Sequence, residues 1–366
     1  MTSQAPGPAP PRSLCILRLS AIGDVSHVVP VVRTIQRHWP ETELTWVVGR
    51  TEAGLVGDLD GVTVVPFDKG GGLGALRDLR RRLQGRRFDA LLQMQTALRA
   101  NIAGRMVPAE RRLGFDRGRS RDGHGLFVNR RIPPHPRSHV LDGFFDFLQA
   151  LGLSERELRW AIPIPQTARA FAAERLPHEA PVLAINPCAS VRPRNWRNWY
   201  PERYAAVADH AVRAHGMAVA LTGGPSAGER AFADAVRAAM ASEPVDLVGA
   251  TSLKGLLAVL ERSTALVAPD TGPAHMGTAA GIPVIGLYAT TNPDRTGPYL
   301  SRDWVVNRYP DNLARYAGTT VDEAPWGKRV RHPGAMGAIG VADVTERVDA
   351  VMAAAQVGGV TPSTAR

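Results

Sequence analysis

The chain is short of several things that would have assigned it quickly. Its longest apolar runs, such as Ala218–Leu221 and Ile282–Leu287, fall far below the ~20 residues that a bilayer span needs. Only two cysteines are present, Cys15 and Cys188, with no CxxC pair, so neither a disulfide framework nor a cysteine metal site is indicated and a reducing compartment is expected. The first residues, Met1–Arg12, are rich in Pro and Ala but lack a basic segment followed by an apolar one; they read as a disordered leader rather than a signal peptide. No G-x-G-x-x-G follows the first strand, and neither GxxxxGK[ST] nor HExxH occurs, which counts against NAD-dependent, P-loop and zinc-protease chemistry. Aromatic residues make up 6% and are not interleaved with the arginine clusters. No RRM, helix-turn-helix or zinc signature accompanies them, so a basic nucleic-acid-binding protein is the weaker, non-enzyme alternative.

What is present is an ordinary globular balance, 44% hydrophobic and 21% charged over 366 residues, enough for two domains with separate cores. General disorder is excluded by the apolar content and the mixed charge. Net charge is +10, and the only lysines among 44 basic residues are Lys69, Lys254 and Lys328. Such a surplus of arginine favours anionic partners: phosphorylated ligands, an acidic membrane surface or nucleic acid. The plainer reading, an Ala- and Arg-rich coding bias, explains the same composition, and charge does not choose among the partners.

From Leu14 onward, short β-branched runs alternate with helical stretches. Ser13–Leu19, Leu44–Val48, Val62–Pro66 and Asp89–Met94 read as strands; Asp24–His38, Leu73–Leu83, Thr96–Met106 and His139–Leu151 read as helices. This is the rhythm of a parallel sheet covered on both faces. Arg111–Arg137, dense in Arg and Gly, reads as a loop-rich excursion, and the prolines of Ile162–Gln166 mark an interdomain connection. A second alternating series runs from Val182 to Tyr288, followed by an irregular stretch, 302–337, and a final helix, Val344–Ala355. The expected class is therefore α/β, with two Rossmann-like domains whose parallel sheets face a central cleft. The expected divisions are a leader 1–12, an N-terminal Rossmann-like domain 13–162, a linker 163–180 and a C-terminal Rossmann-like domain 181–340. The last segment, 341–366, would be a final helix and tail able to pack back on the first domain.

In an open parallel sheet, ligands sit beyond the carboxyl ends of the strands. The first strand ends in Leu19-Ser20-Ala21-Ile22-Gly23-Asp24, which places the Asp24 carboxylate there as a candidate general base. Capping of the following helix is the plainer role for Asp24, and packing within that helix the plainer role for His27. Asp58-Leu59-Asp60 has the form of a DxD metal motif, but it precedes Gly61 and reads better as a solvated turn, so no metal ligand is assigned. The strongest segment is Ala268-Pro269-Asp270-Thr271-Gly272-Pro273-Ala274-His275. There a strand end passes into a helix with Pro in its first turn, which exposes N–H groups suited to a diphosphate. Asn186–Trp199 carries Ser190, Arg192, Arg194 and Arg197, and Thr222-Gly223-Gly224-Pro225 is followed by Glu229, a carboxylate able to hold ribose hydroxyls. For Glu229 the plainer role is a first-turn acid favoured by the helix dipole.

The combination of a strand followed by SxxGD, NP-x-S with nearby basic residues and Trp, GG-P…E, Thr251-Ser252-Leu253, and DTGPAH resembles the heptosyltransferase group, family 9, of GT-B glycosyltransferases. The likeness runs from Leu14 to about Val351, and within the family it is nearest the heptosyltransferase I branch, which adds the first heptose to the Kdo–lipid A inner core. The resemblance implies an inverting transferase that uses ADP-L-glycero-D-manno-heptose and no cofactor, with Asp24 deprotonating the acceptor hydroxyl. It implies donor binding through Ser190, Arg194 (where that branch has a lysine), Gly223, Glu229 at the ribose, Thr251 near the adenine, and Asp270, Thr271, Gly272 and His275 around phosphate and sugar. The acceptor would be the anionic Kdo–lipid A. Arg99, Arg119 and Arg121, with the basic helix around Arg77–Arg82, are candidates for holding it or for resting on the inner face of the cytoplasmic membrane. For each of these arginines, a solvated surface charge is the plainer reading. The expected location is cytoplasmic and peripheral to that membrane, and nucleic acid is not an expected partner. The rival enzyme is a GT-B nucleotide-sugar 2-epimerase, and a family 9 transferase with another sugar or acceptor is the nearer alternative. Tyr309–Met336, with Trp326-Gly327, is longer than that branch carries and has no interpretable motif.

Overall fold

In the computed structural model, which describes residues 9–189 and 195–357, the chain divides into two units, Met1–Pro163 and Ile164–Arg366. The first contains β1 (Ser13–Leu17), α1 (Ile22–His38), β2 (Glu43–Gly49), α2 (Arg50–Val56), β3 (Val62–Phe67) and α3 (Gly72–Arg82). It continues with β4 (Phe88–Gln93), α4 (Leu98–Arg105), β5 (Ala109–Gly114), β6 (Arg130–Arg131) and α5 (Val140–Gln149). All strands pair in parallel, in the order β3-β2-β1-β4-β5-β6. Leu14, Cys15, Ile16 and Leu17 of β1 are all fully buried, because a central parallel strand is covered on both faces and takes a continuous apolar run. Burial pushes the Cys15 thiol up to about 12, so it packs as a small apolar residue and does not act as a thiolate.

The second unit repeats the plan. It holds α6 (Gln166–Arg175), β7 (Val182–Ile185), α7 (Pro201–His215), β8 (Ala218–Leu221), α8 (Ala227–Ala239), β9 (Val245–Asp246) and α9 (Leu253–Glu261). Then come β10 (Ala265–Pro269), α10 (Gly272–Ala279), β11 (Val284–Tyr288), α11 (Pro293–Thr296), β12 (Val306–Asn307), α12 (Tyr309–Ala317) and α13 (Val341–Val357). Its parallel sheet has the order β12-β11-β10-β7-β8-β9. Counted within each unit, both sheets follow 3-2-1-4-5-6, the doubly wound Rossmann order, whose direction reverses once at a switch point. The switch points lie between β1 and β4 and between β7 and β10.

Four stretches differ from what the sequence pattern suggests. The segment at 111–137, expected as loop, begins inside strand β5, which pairs with β4 through Phe88↔Ala109 and Leu92↔Leu113. Arginine in this strand is structural. The Arg112 guanidinium donates to the carbonyls of Gly104 (2.6 Å) and Val107 (2.5 Å), closing the C-terminal end of α4. The stretch 163–180, expected as linker, contains α6, whose Ala172 packs with Leu176, Ala258 and Val259, while Arg169 pairs with Glu261. In 302–337, Pro310 starts helix α12 rather than breaking structure, and Tyr309 and Leu313 form a small core with Ala324, Val330 and Ala335. Of the leader, Pro11 and Arg12 are tied down: the Pro11 carbonyl accepts from Thr42 Oγ1 (2.7 Å) and the Arg12 amide donates to Asp89 Oδ2 (2.6 Å). The final helix α13 packs on α7 and β11, within the second unit. No helix among the described residues is long and apolar enough to cross a membrane.

Candidate active site

At the switch point of the first sheet, the chain leaves β1 and enters α1 through Arg18–Ala21. Ala21 caps α1 without a side-chain oxygen, so the helix relies on its third residue: Asp24 Oδ2 accepts from the Ala21 amide (3.3 Å), half of a capping box. The same oxygen receives the Arg18 guanidinium in a short ion pair. Arg18 is fixed in turn by the Met94 carbonyl (2.5 Å) beyond β4, and its guanidinium lies 5.2 Å from the centroid of the Phe144 ring in α5. Gln95, also beyond β4, closes the turn by accepting from the Leu19 amide (2.8 Å) and donating to Ser20 Oγ (3.2 Å). Asp24 is thus a cap and, at the same time, a partly exposed carboxylate (29%) held in one orientation at a switch point. Those are the requirements for a positioned base.

His27, one turn on, is buried and meets the His139 ring edge-on at 5.4 Å, the packed helix residue that its spacing suggested. Asp60 pairs with Arg33 (3.3 Å), and the Asp60 carbonyl accepts from Gln36 Nε2 (2.6 Å), so this part of the DxD sequence has a local role in a turn. Arg99 and Arg121 are exposed on α4 and on the loop after β5. Arg119 differs: it pairs with Asp116 and Asp146 (2.7 Å to the latter), donates to the Pro133 carbonyl (3.0 Å) and stacks over Phe115. Much of its hydrogen-bonding capacity is engaged in holding its own loop.

In the second unit, the loops beyond β7, β8, β9 and β10 carry the donor candidates. Ser190 and Arg194 lie outside the described residues. Arg197, from the same β7 loop, donates to the Asp270 carbonyl (2.7 Å) and lies 3.8 Å from its carboxylate, joining the loops on the two sides of the switch point. Asn186, the first residue after β7, donates to the Thr222 carbonyl (2.8 Å), while its buried Oδ1 has no hydrogen-bond partner among the described residues. Asp270 is buried. Thr271 caps α10 in an extended conformation and makes no side-chain cap bond; the Ala274 amide donates to the Thr271 carbonyl (3.2 Å), and the Gly272 amide with the positive end of the helix dipole gives this turn the character of an anion site. His275 is buried in that turn.

Glu229 is the third residue of α8, behind the Ser226 cap. Its carboxylate accepts from the Gly224 amide and from Ser226 Oγ (3.2 Å), and the Glu229 amide donates back to Ser226 Oγ (3.3 Å). A Cβ on Gly224 would lie 2.8 Å from Glu229 Oε2, so a side chain there would displace the carboxylate. Gly223 lies two residues beyond β8, and its carbonyl accepts from the Gly249 amide (3.0 Å). Thr251, half-buried, precedes the Ser252 cap of α9. Two residues with clear local roles were absent from the sequence-based site: Arg18, which orients Asp24, and Asn186. Arg18 carries a weak signal, as a charge between two buried leucines at a strand end.

Two doubly wound units, each with polar loops at its switch point, define a fold of the GT-B class. The model of glycosyltransferase family 9 (heptosyltransferase) matches residues 76–316. The lipopolysaccharide core heptosyltransferase OpsX of Haemophilus influenzae is 40% identical over 88% of this chain and 91% of its own length. Among solved structures, a family 9 glycosyltransferase from Veillonella parvula superposes with a TM-score of 0.77 at 20% identity, over 94% of this chain and 98% of that one. The E. coli heptosyltransferase WaaC, determined with ADP, gives 0.68 at 19% identity, over 93% and 99%. The chain belongs to glycosyltransferase family 9, the heptosyltransferases, and is a transferase enzyme.

Proposed function

We propose that this protein transfers heptose from ADP-L-glycero-D-manno-heptose to the Kdo–lipid A inner core of lipopolysaccharide, with inversion, at the inner face of the cytoplasmic membrane. The observation that carries the mechanism is the Asp24 carboxylate, fixed by Arg18 and the Ala21 amide yet open to solvent at the first switch point. In this reading, Asp24 takes the proton of the acceptor hydroxyl as that oxygen attacks the anomeric carbon. The bond to the diphosphate breaks, and ADP carries away the electron pair. The α10 N-terminus and Arg194 meet the charge that grows on the leaving diphosphate, and Glu229 holds the ribose. Because these groups supply the positive potential and Asp60 is engaged in a turn, the reaction is read as metal-independent. Arg99 and Arg121, exposed and cationic, suit the phosphates and carboxylates of the acceptor or an anionic leaflet.

The likeness to the lipopolysaccharide core enzyme supports the choice of donor and acceptor. Incubating the protein with ADP-heptose and a Kdo–lipid A acceptor tests the reading. Heptosylated acceptor and ADP in equal amounts are expected. Epimerised nucleotide-sugar without transfer, or transfer of another sugar only, would refute it.

A further inference from the structure

A cluster of metal-type ligands lies apart from the loops described above. Helix α7 ends at His215, with Gly216 in the left-handed conformation (φ 61°) as its cap. His210 and His215 both turn toward α13, and the Nε2 of each lies 2.6 Å from the same oxygen, Asp349 Oδ1. The two rings stand 5.9 Å apart at 76°, and the three ligand atoms lie within 4.8 Å of one another. His215 leads directly into the start of β8, so the cluster sits at the amino-terminal edge of the second sheet, the opposite edge from the candidate donor loops.

We propose that His210, His215 and Asp349 form a binding site for one divalent transition-metal ion of the zinc type, which fastens the C-terminal helix α13 to α7. Two imidazoles and one carboxylate are a donor set for Zn²⁺, Fe²⁺, Co²⁺ or Ni²⁺, and poor for Ca²⁺ or Mg²⁺, which take oxygen. With metal–nitrogen bonds of about 2.0–2.1 Å, bound ligand atoms stand roughly 3 Å apart. Each Nε2 already lies near that spacing from Asp349 Oδ1, at 2.6 Å, and with all three atoms within 4.8 Å of one another a shift of the side chains would admit an ion. Side-chain exposures of 30%, 19% and 46% leave the site open to an entering ion and to a water as fourth ligand. The negative end of the α7 dipole favours a cation at this position. The helices it would join are already packed: Val344, Val348, Val351 and Met352 of α13 share a core with Val207, Ala208 and Ala211 of α7.

The test uses the full chain, stripped with a chelator and then dialysed against Zn²⁺ or Co²⁺. One ion per chain by elemental analysis, a Co²⁺ d–d absorption band and a raised Tm are expected. The paired change His210→Gln with His215→Gln keeps an amide donor for Asp349 but removes both imidazoles. It should lose the ion and the band while retaining the fold and heptose transfer. Asp349→Asn should also lose stoichiometric binding. A parent protein that retains no ion after dialysis would overturn the proposal and leave a hydrogen-bonded clamp. Undiminished binding in the double variant would overturn it as well.

Discussion

His124 lies buried beneath the loop that carries Arg119 and Arg121, and its two ring nitrogens have fixed partners. Nδ1 is 2.7 Å from Asn101 Oδ1, an oxygen that also accepts from Gln93 Nε2 (2.9 Å), so Nδ1 must carry the proton. Nε2 accepts from the Phe115 amide (3.1 Å), and a proton there would set two N–H groups against each other. Burial first, and the nearby Arg131 guanidinium second, lower the pKa from 6.5 to about 4. In the unfolded chain the ring titrates near 6.5, so between pH 6.5 and 4 the unfolded state binds the extra proton. The stabilisation is therefore complete above pH 6.5 and is lost as pH falls toward 4. At ~1.4 kcal/mol per pH unit the interval amounts to roughly 3.5 kcal/mol. NMR titration of His124 should find a neutral ring down to about pH 4. Urea unfolding across the same range should show an acid limb that His124→Gln lacks. Titration near 6.5, or parallel pH profiles for the two proteins, would show that the folded chain does not hold this ring neutral.

Other outcomes follow from the donor loops and the turn around Asp60. Glu229→Gln should weaken ADP binding by roughly ten- to over a hundred-fold, the loss of a charged hydrogen bond worth ~1.5–3 kcal/mol. Ser226→Ala removes the cap and one neutral hydrogen bond to the Glu229 carboxylate, which keeps its charge and the Gly224 amide. It should lower stability by ~0.5–2 kcal/mol and affinity by less than Glu229→Gln does; calorimetry and thermal melts separate the two roles. Arg194→Ala should weaken ADP binding by a similar factor, again about one charged hydrogen bond, and Arg194→Lys should recover much of it. Equal ADP affinity in all three proteins would remove Arg194 from the site. Excess EDTA should leave most turnover intact while lowering Tm; complete loss of turnover, restored by Mg²⁺ or Mn²⁺, would contradict the turn assigned to Asp58–Asp60.

The parts of the fold that could be read from sequence are those where local pattern and final environment agree. Central strands such as β1, β7 and β11 are continuous apolar runs because both faces are covered. Glu229 was legible as an early-helix acid after Thr222-Gly223-Gly224-Pro225, and it stands third in α8, behind the Ser226 cap. Strand β5 was not, because its arginines obey no period-two pattern; Arg112 closes a neighbouring helix instead of pointing to solvent. Helix α12 was hidden by Pro310, which starts helices as readily as it ends them. The candidate site was legible one strand end at a time. The contacts that shape it join residues distant in sequence, as Arg18 joins Met94 across 76 positions and Arg197 joins Asp270 across 73. Such pairings follow from the strand order, which local pattern does not encode.

Whether Asp24 serves as the base of a heptosyl transfer is decided by comparing one variant with the parent enzyme. Asp24→Asn preserves the shape of the turn and the capping oxygen but removes a base at neutral pH. Transfer from ADP-heptose to Kdo–lipid A should fall by roughly 10²–10⁴-fold, while calorimetry with ADP alone finds little change. Near-normal turnover in Asp24→Asn would rule out the base and leave Asp24 as the cap of α1.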